Sequence, residues 1–363
     1  MKIVHVVECF AGGTVHFVNL ATMYMNQHEH VVIHGERKDE ISAEDVKAKF
    51  PQHVSFLKWK SAHRSISIVK DLKALADLRR KLKQLKPDVV HLHSSKAGFL
   101  GRLACNALGI RNVVFTPHGA AFLRKDTSFV RVLFYAALEK SAALLSGTVV
   151  CCSKSEAEKF RKVGVKATYI NNGIVLPAGS LRATERKASP VPKFTIVTCG
   201  RITEQKNPVL FNDIASAFAQ DSSIRFVWIG DGEYRDKLIS NNITVTGWKG
   251  REEVVAEVNS ADVYLSTSSW EGLPFSVLEA MSLGKCLVLS NCVGNIDLVA
   301  PDYNGFTFDT AEEAVYRIGW LKSNRKILDQ MGMNSLEMCY ENFNIEDTFK
   351  KYLSIYQDHN AVS

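Results

Sequence analysis

Residues Trp270–Asn291 read WEGLPFSVLEAMSLGKCLVLSN. With VYLSTS (263–268) ahead of them they spell strand, turn, apolar helix and buried strand, the repeating unit of a parallel α/β sheet. Gly272-Leu273-Pro274 predicts the turn, and the helix runs from about Phe275 to Leu283. Pro274 suits a first-turn position, where no amide hydrogen is needed. Backbone amides at such a helix start attract an anion. Two acids flank that point. Glu279, one turn in, is placed to accept both hydroxyls of a ribose cis-diol, and Glu271 to reach a group beyond the phosphate. Ribose, phosphate and sugar in line suit a nucleotide-sugar.

The same alternation fills the chain on either side. KIVHVV (2–7), VVIHG (31–35), FLKW (56–59), DVVHLH (88–93), NVVFTPHG (112–119) and TVVCCS (148–153) are separated by helical segments. Residues 171–193, NNGIVLPAGSLRATERKASPVPK, then carry three prolines, two glycines and no apolar periodicity, which marks a linker. Alternation restarts with FTIVTCG (194–200), RFVWIG (225–230), ITVTG (243–247) and CLVLSN (286–291). The expected organisation is a Rossmann-like domain over 1–170, the linker, a second Rossmann-like domain over 194–335, and a helical tail, 336–363, returning toward the first. Ligands of such sheets bind at the strand carboxyl ends, so the two parallel sheets are expected to face one interdomain cleft.

Composition is that of a soluble globular protein, 46% hydrophobic and 23% charged. No apolar run approaches the roughly 20 residues of a membrane span; the longest candidate, Val130–Cys152, is broken by Glu139 and Lys140. MKIVHVVECF reads as a buried first strand and not a signal peptide. The eight cysteines form no C-x-x-C pair and no zinc spacing, and most, Cys9 included, lie in or beside apolar strands, so a cytoplasmic location is expected. His91 and His93 point the same way from one strand, but with no third ligand in view they read as packing residues, and no metal is expected.

Charge is uneven. Residues 1–180 hold 27 Lys and Arg against 14 Asp and Glu, whereas residues 181–363 hold 18 against 24. Between Lys58 and Lys86 ten cations, Arg64 among them, face only Asp71 and Asp77, and Val69, Leu72, Leu75, Leu78, Leu82 and Leu85 recur at helical spacing. This predicts a helix with one face on a sheet and the other cationic, either a solvated surface or, as the lopsided charge favours, drawn to an anionic membrane or a diphosphate-bearing substrate. In the second half, Gly200-Arg201 follows directly on a strand and Lys206 comes five residues later, a spacing that suits a diphosphate and equally an ordinary polar loop. Gly230 and Gly232 permit a tight turn near a ligand, without the third glycine of a dinucleotide fingerprint. Gly247-Trp248 offers a surface for a flat base, or a core tryptophan.

The segment from Glu271 to Glu279 resembles the E-x7-E signature of GT-B glycosyltransferases, and EGLPFSVLEAMSLGKCLVLSN is similar to the retaining family 4 group. The resemblance runs along the whole chain through Gly12-Gly13, HLHSSKAGFLGRLA (91–104), TPHG (116–119), Asn172-Gly173, Gly200-Arg201 with Lys206, and Gly230-Asp231-Gly232. It implies that Glu279 holds the donor ribose and Glu271 the donor sugar hydroxyls. Arg201 and Lys206 would stabilise the leaving diphosphate, helped by amides around Leu273 to Ser276, with Gly272, Leu273, Pro274, Phe275 and Ser276 lining the donor. His118 would lie beneath the donor sugar, and Gly12 and Gly13 would let the first loop approach phosphates or acceptor. The chain departs from the pattern where Thr14-Val15-His16 replaces the usual Glu, where Val175 replaces an Asp, and where Asp297 stands for a Glu. His16, Lys96 and Arg102 are the acceptor-side candidates.

A D-x-D triplet is absent, so protein cations are expected to neutralise the leaving group without a metal or other cofactor. The family resemblance implies retention by front-face attack, and no carboxylate is placed for double displacement. The expected activity is transfer of a sugar from a UDP-sugar to a polyprenyl-diphosphate-linked saccharide in cell-surface polysaccharide synthesis. The enzyme would be peripheral at the inner face of the plasma membrane, with no nucleic-acid partner. A small-molecule glycosyltransferase, a sugar-nucleotide epimerase and a non-catalytic nucleotide-sugar-binding protein are the alternatives.

Overall fold

A computed structural model describes residues 1–8, 10–36, 43–63, 65–176 and 193–358. Cys9, Arg64, residues 177–192 of the expected linker and residues 359–363 of the tail lie outside them. The chain forms two compact units, 1–123 with 127–172 and 346–363, and 124–126 with 173–345.

In the first unit β1 (Lys2–Val7), β2 (Glu29–His34), β3 (Ser55–Lys58), β4 (Val89–His93), β5 (Val113–Thr116), β6 (Thr148–Cys151) and β7 (Ala167–Tyr169) form a parallel sheet ordered β3-β2-β1-β4-β5-β6-β7. The crossovers contain α1 (Gly12–Tyr24), α2 (Ala43–Lys47), α3 (Ile68–Leu85), α4 (Ser95–Leu108), α5 (Phe129–Ala143) and α6 (Lys154–Lys162). Strand order reverses between β1 and β4, a position where doubly wound folds bind ligands.

Side chains alternate across each strand. One parity sends Val4, Val6, Val31, Ile33, Val90, Leu92 and Phe115 onto Ala74, Leu78 and Leu82 of α3 and Ala97, Leu100 and Ala104 of α4. The other parity gathers His5, His30, His91, His93 and Thr116 on the opposite face. In the β1–β4 register His5 lies directly beside His91. Phe17 of α1 and Phe349, Tyr352 and Tyr356 of the C-terminal helix (Ile345–Asp358) cover these histidines.

Three expectations for this unit are corrected. In α3, Leu78 and Leu82 are buried but Val69 and Leu72 are 65% and 60% exposed, because burial in this helix begins only at Ala74 and none of residues 68–73 is buried. Arg102 is not open to an acceptor. It is fully buried, donates to Gly98 O at 2.9 Å, pairs with Glu139 and lies 4.3 Å over the Phe115 ring. Lys96 is also engaged within the fold, 2.8 Å from Asp71 Oδ1, and ties α4 to α3.

In the second unit β8 (Phe194–Cys199), β9 (Ile224–Ile229), β10 (Ile243–Val245), β11 (Val263–Ser266), β12 (Cys286–Ser290) and β13 (Gly305–Phe308) form a second parallel sheet ordered β10-β9-β8-β11-β12-β13. Its helices are α7 (Pro208–Ser216), α8 (Arg251–Ser260), α9 (Phe275–Ser282), α10 (Ala311–Ser323) and α11 (Arg325–Asn342). Helix α7 starts cleanly: the Asn207 side chain accepts from Leu210 N at 3.2 Å and Pro208 follows. Helix α11 buries Leu328, Met331 and Leu336 in this unit, so the chain returns to the first unit after 345 and not at 336.

Arg102→Ala would leave Glu139 buried without a counter-charge. The expected loss is about 3–5 kcal/mol, read from urea unfolding. A variant of unchanged stability but altered acceptor KM would return Arg102 to the acceptor side.

Candidate active site

At the carboxyl edge of the second sheet, the loops after β8 and β9 touch backbone to backbone. Gly230 has φ +140°, and a Cβ there would stand 2.2 Å from Gly200 O; one on Gly232 would stand 2.3 Å from Ile202 O. Only glycine permits this approach. Gly200 N donates to Ile229 O at 2.9 Å, Ile202 N to Asp231 O at 2.9 Å and Trp228 Nε1 to Gly200 O at 2.9 Å. Gly247 bridges to Gly230, and Trp248 beside it is 65% exposed, which removes the core alternative for that indole.

The loop after β11 is fastened to the turn at 204–206. Lys206 Nζ lies 2.8 Å from Glu271 Oε1. Gln205 Nε2 donates to Trp270 O at 2.8 Å and to Glu271 Oε2 at 3.3 Å, while Thr267 Oγ1 donates to Lys206 O at 2.8 Å. Glu271 is buried. From behind, Gly294, with φ +86°, packs so tightly that a Cβ would stand 2.6 Å from Gly272 O and 2.9 Å from Glu271 Cβ. Asn295 Nδ2 donates to Ser290 Oγ at 3.1 Å, and Ser290 Oγ to Ser268 O at 2.5 Å, which braces the same loop.

Helix α9 begins after Pro274 with no side-chain cap and no acid in its first turn. Its N-terminal end therefore keeps the positive field of the helix dipole. Phe275 and Ser276 are half-buried, whereas Gly272, Leu273 and Pro274 are buried. Glu279 is half-buried on α9, and burial raises its carboxyl above the usual range, partly offset by Arg251. It lies close enough to Cys199 to add to the burial that pushes that thiol up to about 11. No hydrogen bond to its carboxylate occurs among the described residues. Arg201 is exposed and only 3.5 Å from Glu233 Oε2, a surface contact worth little, so its guanidinium can turn to an anion. The structure thus brings Gly200, Lys206, Glu271 and Glu279 to one sheet edge. Gln205, Tyr264 and Gly294 were not singled out from the sequence. Tyr264, buried in β11, hydrogen-bonds through its hydroxyl with Cys199 N at 3.2 Å and with the Ser276 side chain. A non-local register put it there, and no local motif announces it.

In the first unit Gly12 opens α1 with φ +65°, and Gly13 is exposed beside it; His16, one turn on, is half-buried. His118 takes φ +55°, a left-handed conformation unusual for a non-glycine residue. Its Nε2 is 3.0 Å from His93 Nδ1, and its Nδ1 is 3.3 Å from Cys152 Sγ. His93 Nε2 lies 3.1 Å from His5 Nδ1, and His5 Nε2 lies 3.2 Å from His30 Nδ1. His5 is the third imidazole that the sequence did not reveal, since His5, His91 and His93 have nitrogens within 4.8 Å of one another. Both nitrogens of each are already bonded, His91 to Tyr356 Oη at 2.6 Å and Thr116 Oγ1 at 2.8 Å. Burial pushes His5, His91 and His93 well below 6.5, His30 to about 4 and His118 to about 3.

Residues 10–176 match the family described as Glycosyltransferase Family 4, and residues 182–338 the one described as Glycosyl transferases group 1. The chain is 32% identical over 322 residues to the UDP-Gal:alpha-D-GlcNAc-diphosphoundecaprenol alpha-1,3-galactosyltransferase of Escherichia coli, which covers 81% of each. Sucrose-phosphate synthase from Thermosynechococcus elongatus shares the fold with TM-score 0.80 at 15% identity over the whole of both chains. HepE of Anabaena, solved with UDP and glucose, does so with TM-score 0.76 at 17% identity over 99% of this chain and 100% of its own.

The buried imidazoles set an acid limit. Each binds a proton more readily unfolded, near pH 6.5, than folded, so stability falls as pH drops below 6.5, down to about 4 for His30 and about 3 for His118. The slope is about 1.4 kcal/mol per pH unit per histidine. At pH 5 the urea-unfolding free energy is expected to be lower than at pH 7 by roughly 2 kcal/mol for each of His30 and His118, with His5, His91 and His93 acting in the same direction. A flat profile across that window would mean that these rings are hydrated or already charged.

Proposed function

As the chain belongs to the group 1, family 4 glycosyltransferases, a GT-B enzyme class, we propose that it moves a hexose from a UDP-sugar to a polyprenyl-diphosphate-linked saccharide, with retention and without a metal. One observation carries the donor half of this reading. Glu279, half-buried and with no hydrogen bond to its carboxylate among the described residues, stands one turn inside a helix without a side-chain cap, near enough to Cys199, at the strand end before Gly200, to act on its thiol as Lys206 does. A desolvated acid without a donor is held for a ligand that brings donors, and a ribose diol brings two. The diphosphate takes the start of α9, Arg201 and Lys206. When it arrives, Lys206 turns its charge from Glu271 to the leaving oxygens, and Glu271 is left to accept sugar hydroxyls. Once turned onto the bound diphosphate, the two cations offset the charge that develops on the leaving oxygens and lower the barrier. Trp248 offers its open indole to the base. The acceptor class is taken from the Escherichia coli relative, whose named substrate is a diphosphoundecaprenol sugar.

A membrane-linked acceptor needs an enzyme that visits the membrane. Among the described residues no helix is long and apolar enough to cross one. The first unit instead exposes Phe129, Val130, Leu133 and Phe134 along one face of α5, and Ile66, Ile68, Val69 and Leu72 at the start of α3. Lys70, Lys73 and Arg131 are exposed among them. In a parallel α/β sheet every crossover helix starts at the strand carboxyl edge, so both apolar sets belong to the ligand-binding edge. Apolar side chains ringed by cations fit an anionic lipid surface.

Transfer is tested by offering UDP-hexoses and a short polyprenyl-diphosphate N-acetylhexosamine in EDTA, reading UDP release and the anomeric configuration of the product by proton NMR. An axial, retained linkage is expected, with Lys206→Ala lowering kcat by about 10²–10³-fold. Release of UDP only on adding a divalent cation would end the metal-free reading, and sugar-nucleotide epimerisation would replace it altogether. In vesicle flotation the wild type is expected to rise with anionic liposomes and the Phe129→Ser/Leu133→Ser variant to stay behind. Equal flotation of both would remove α5 from the membrane surface.

A further inference from the structure

Three histidines on one face of the first sheet, His30, His5 and His93, form with His118 just past β5 an unbroken line of hydrogen bonds. From one end it runs Met25 O, His30, His5, His93, His118 and Cys152, with links of 2.9, 3.2, 3.1, 3.0 and 3.3 Å. Successive rings are nearly parallel, inclined by 16°, 23° and 26°. A neutral imidazole carries one N–H and one lone pair, so each ring that donates at one nitrogen must accept at the other. The Met25 carbonyl can only accept, which places the proton of His30 on Nε2. His30 Nδ1 then accepts from His5 Nε2, His5 Nδ1 from His93 Nε2, and His93 Nδ1 from His118 Nε2. The lone pair left on His118 Nδ1 meets Cys152, whose thiol burial holds protonated and therefore able to donate. The Met25 carbonyl sets the direction, and the thiol at the other end, able to donate, accommodates it.

We propose that the Met25 carbonyl, acting through His30, His5 and His93, locks His118 into a single Nε2–H tautomer and ring orientation, so that these three histidines are positioning residues for His118. The importance of that for sugar transfer rests on the reading of His118 as an active-site residue. Its backbone is held from the other side. The Glu156 carboxylate accepts from Gly119 N at 2.8 Å, Ala120 N at 3.0 Å and Cys152 N at 3.0 Å. Ring and main chain are thus both fixed while the residue keeps its left-handed φ. With both nitrogens engaged, His118 offers a substrate its carbon edge and its main chain and takes no proton from it. This fits a reaction in which the acceptor hydroxyl proton leaves with the diphosphate.

The test is long-range proton–nitrogen NMR on full-length protein labelled with ¹⁵N-histidine at pH 7, with resonances assigned by single substitutions. His5, His30, His93 and His118 are expected as four neutral Nε2–H rings. His30→Phe, which cuts the line from its carbonyl, should leave His118 as a mixture of tautomers. It should also lower kcat roughly tenfold or more with donor KM unchanged, as misplacement of a positioned group does. His30→Gln, whose amide can donate to Met25 O and accept from His5, should restore both readings. An Nδ1–H or charged His118 in the wild type overturns the proposal, as does an unaltered His118 spectrum in His30→Phe. A tautomer mixture with unchanged kcat would uphold the relay and remove His118 from the reaction.

Discussion

Gly230 crosses the Gly200 carbonyl at a distance that leaves no room for a Cβ, and Gly232 does the same over Ile202. That contact sets where the first two strands of the second unit end, and with them where Arg201 and Lys206 begin. The 204–206 turn is in turn stitched to residues 267–271, so Glu271 has one position and Lys206 one partner. Gly294 fills the space behind Glu271 with backbone alone. The site is therefore a stack of three loops whose spacing depends on missing side chains. A methyl group at Gly230 would move the phosphate side and the sugar side together.

The first unit uses a different constraint. Five imidazoles lie within one sheet face or at its edge, and all are held neutral by burial. Apolar residues would pack there at less risk in acid. What the histidines add is direction: a row of neutral donors and acceptors has one allowed order once its end is a carbonyl. The C-terminal helix is part of this arrangement, because Tyr356 and Tyr352 close the face around His91 and Thr116.

The sequence carried the fold through period and punctuation. Runs such as KIVHVV and FTIVTCG alternate with amphipathic helices, and the two parallel sheets follow from that alternation. The E-x7-E spacing and the helix start at Phe275 were legible because both are local. What stayed hidden was set by partners far along the chain. Arg102 looked like an acceptor contact in HLHSSKAGFLGRLA, yet Glu139, on another helix, draws it into the core. His5 and His91 become neighbours through strand register, which no spacing reports. Val69 and Leu72 obey the helical period but precede Ala74, where burial in α3 begins. The short strand β13, GFTF, has too few residues to declare a pattern.

Glu279 and the loops beside it are proposed to form a nucleotide site that needs no metal. Thermal unfolding in EDTA, with UDP, GDP or ADP each in large excess, tests it directly in wild type and in Glu279→Ala. A nucleotide at about 100 times its dissociation constant adds about 2.7 kcal/mol of stability. UDP alone is expected to raise the wild-type midpoint, and the rise to disappear in Glu279→Ala. Equal stabilisation of both proteins, or none with any nucleotide, would contradict it.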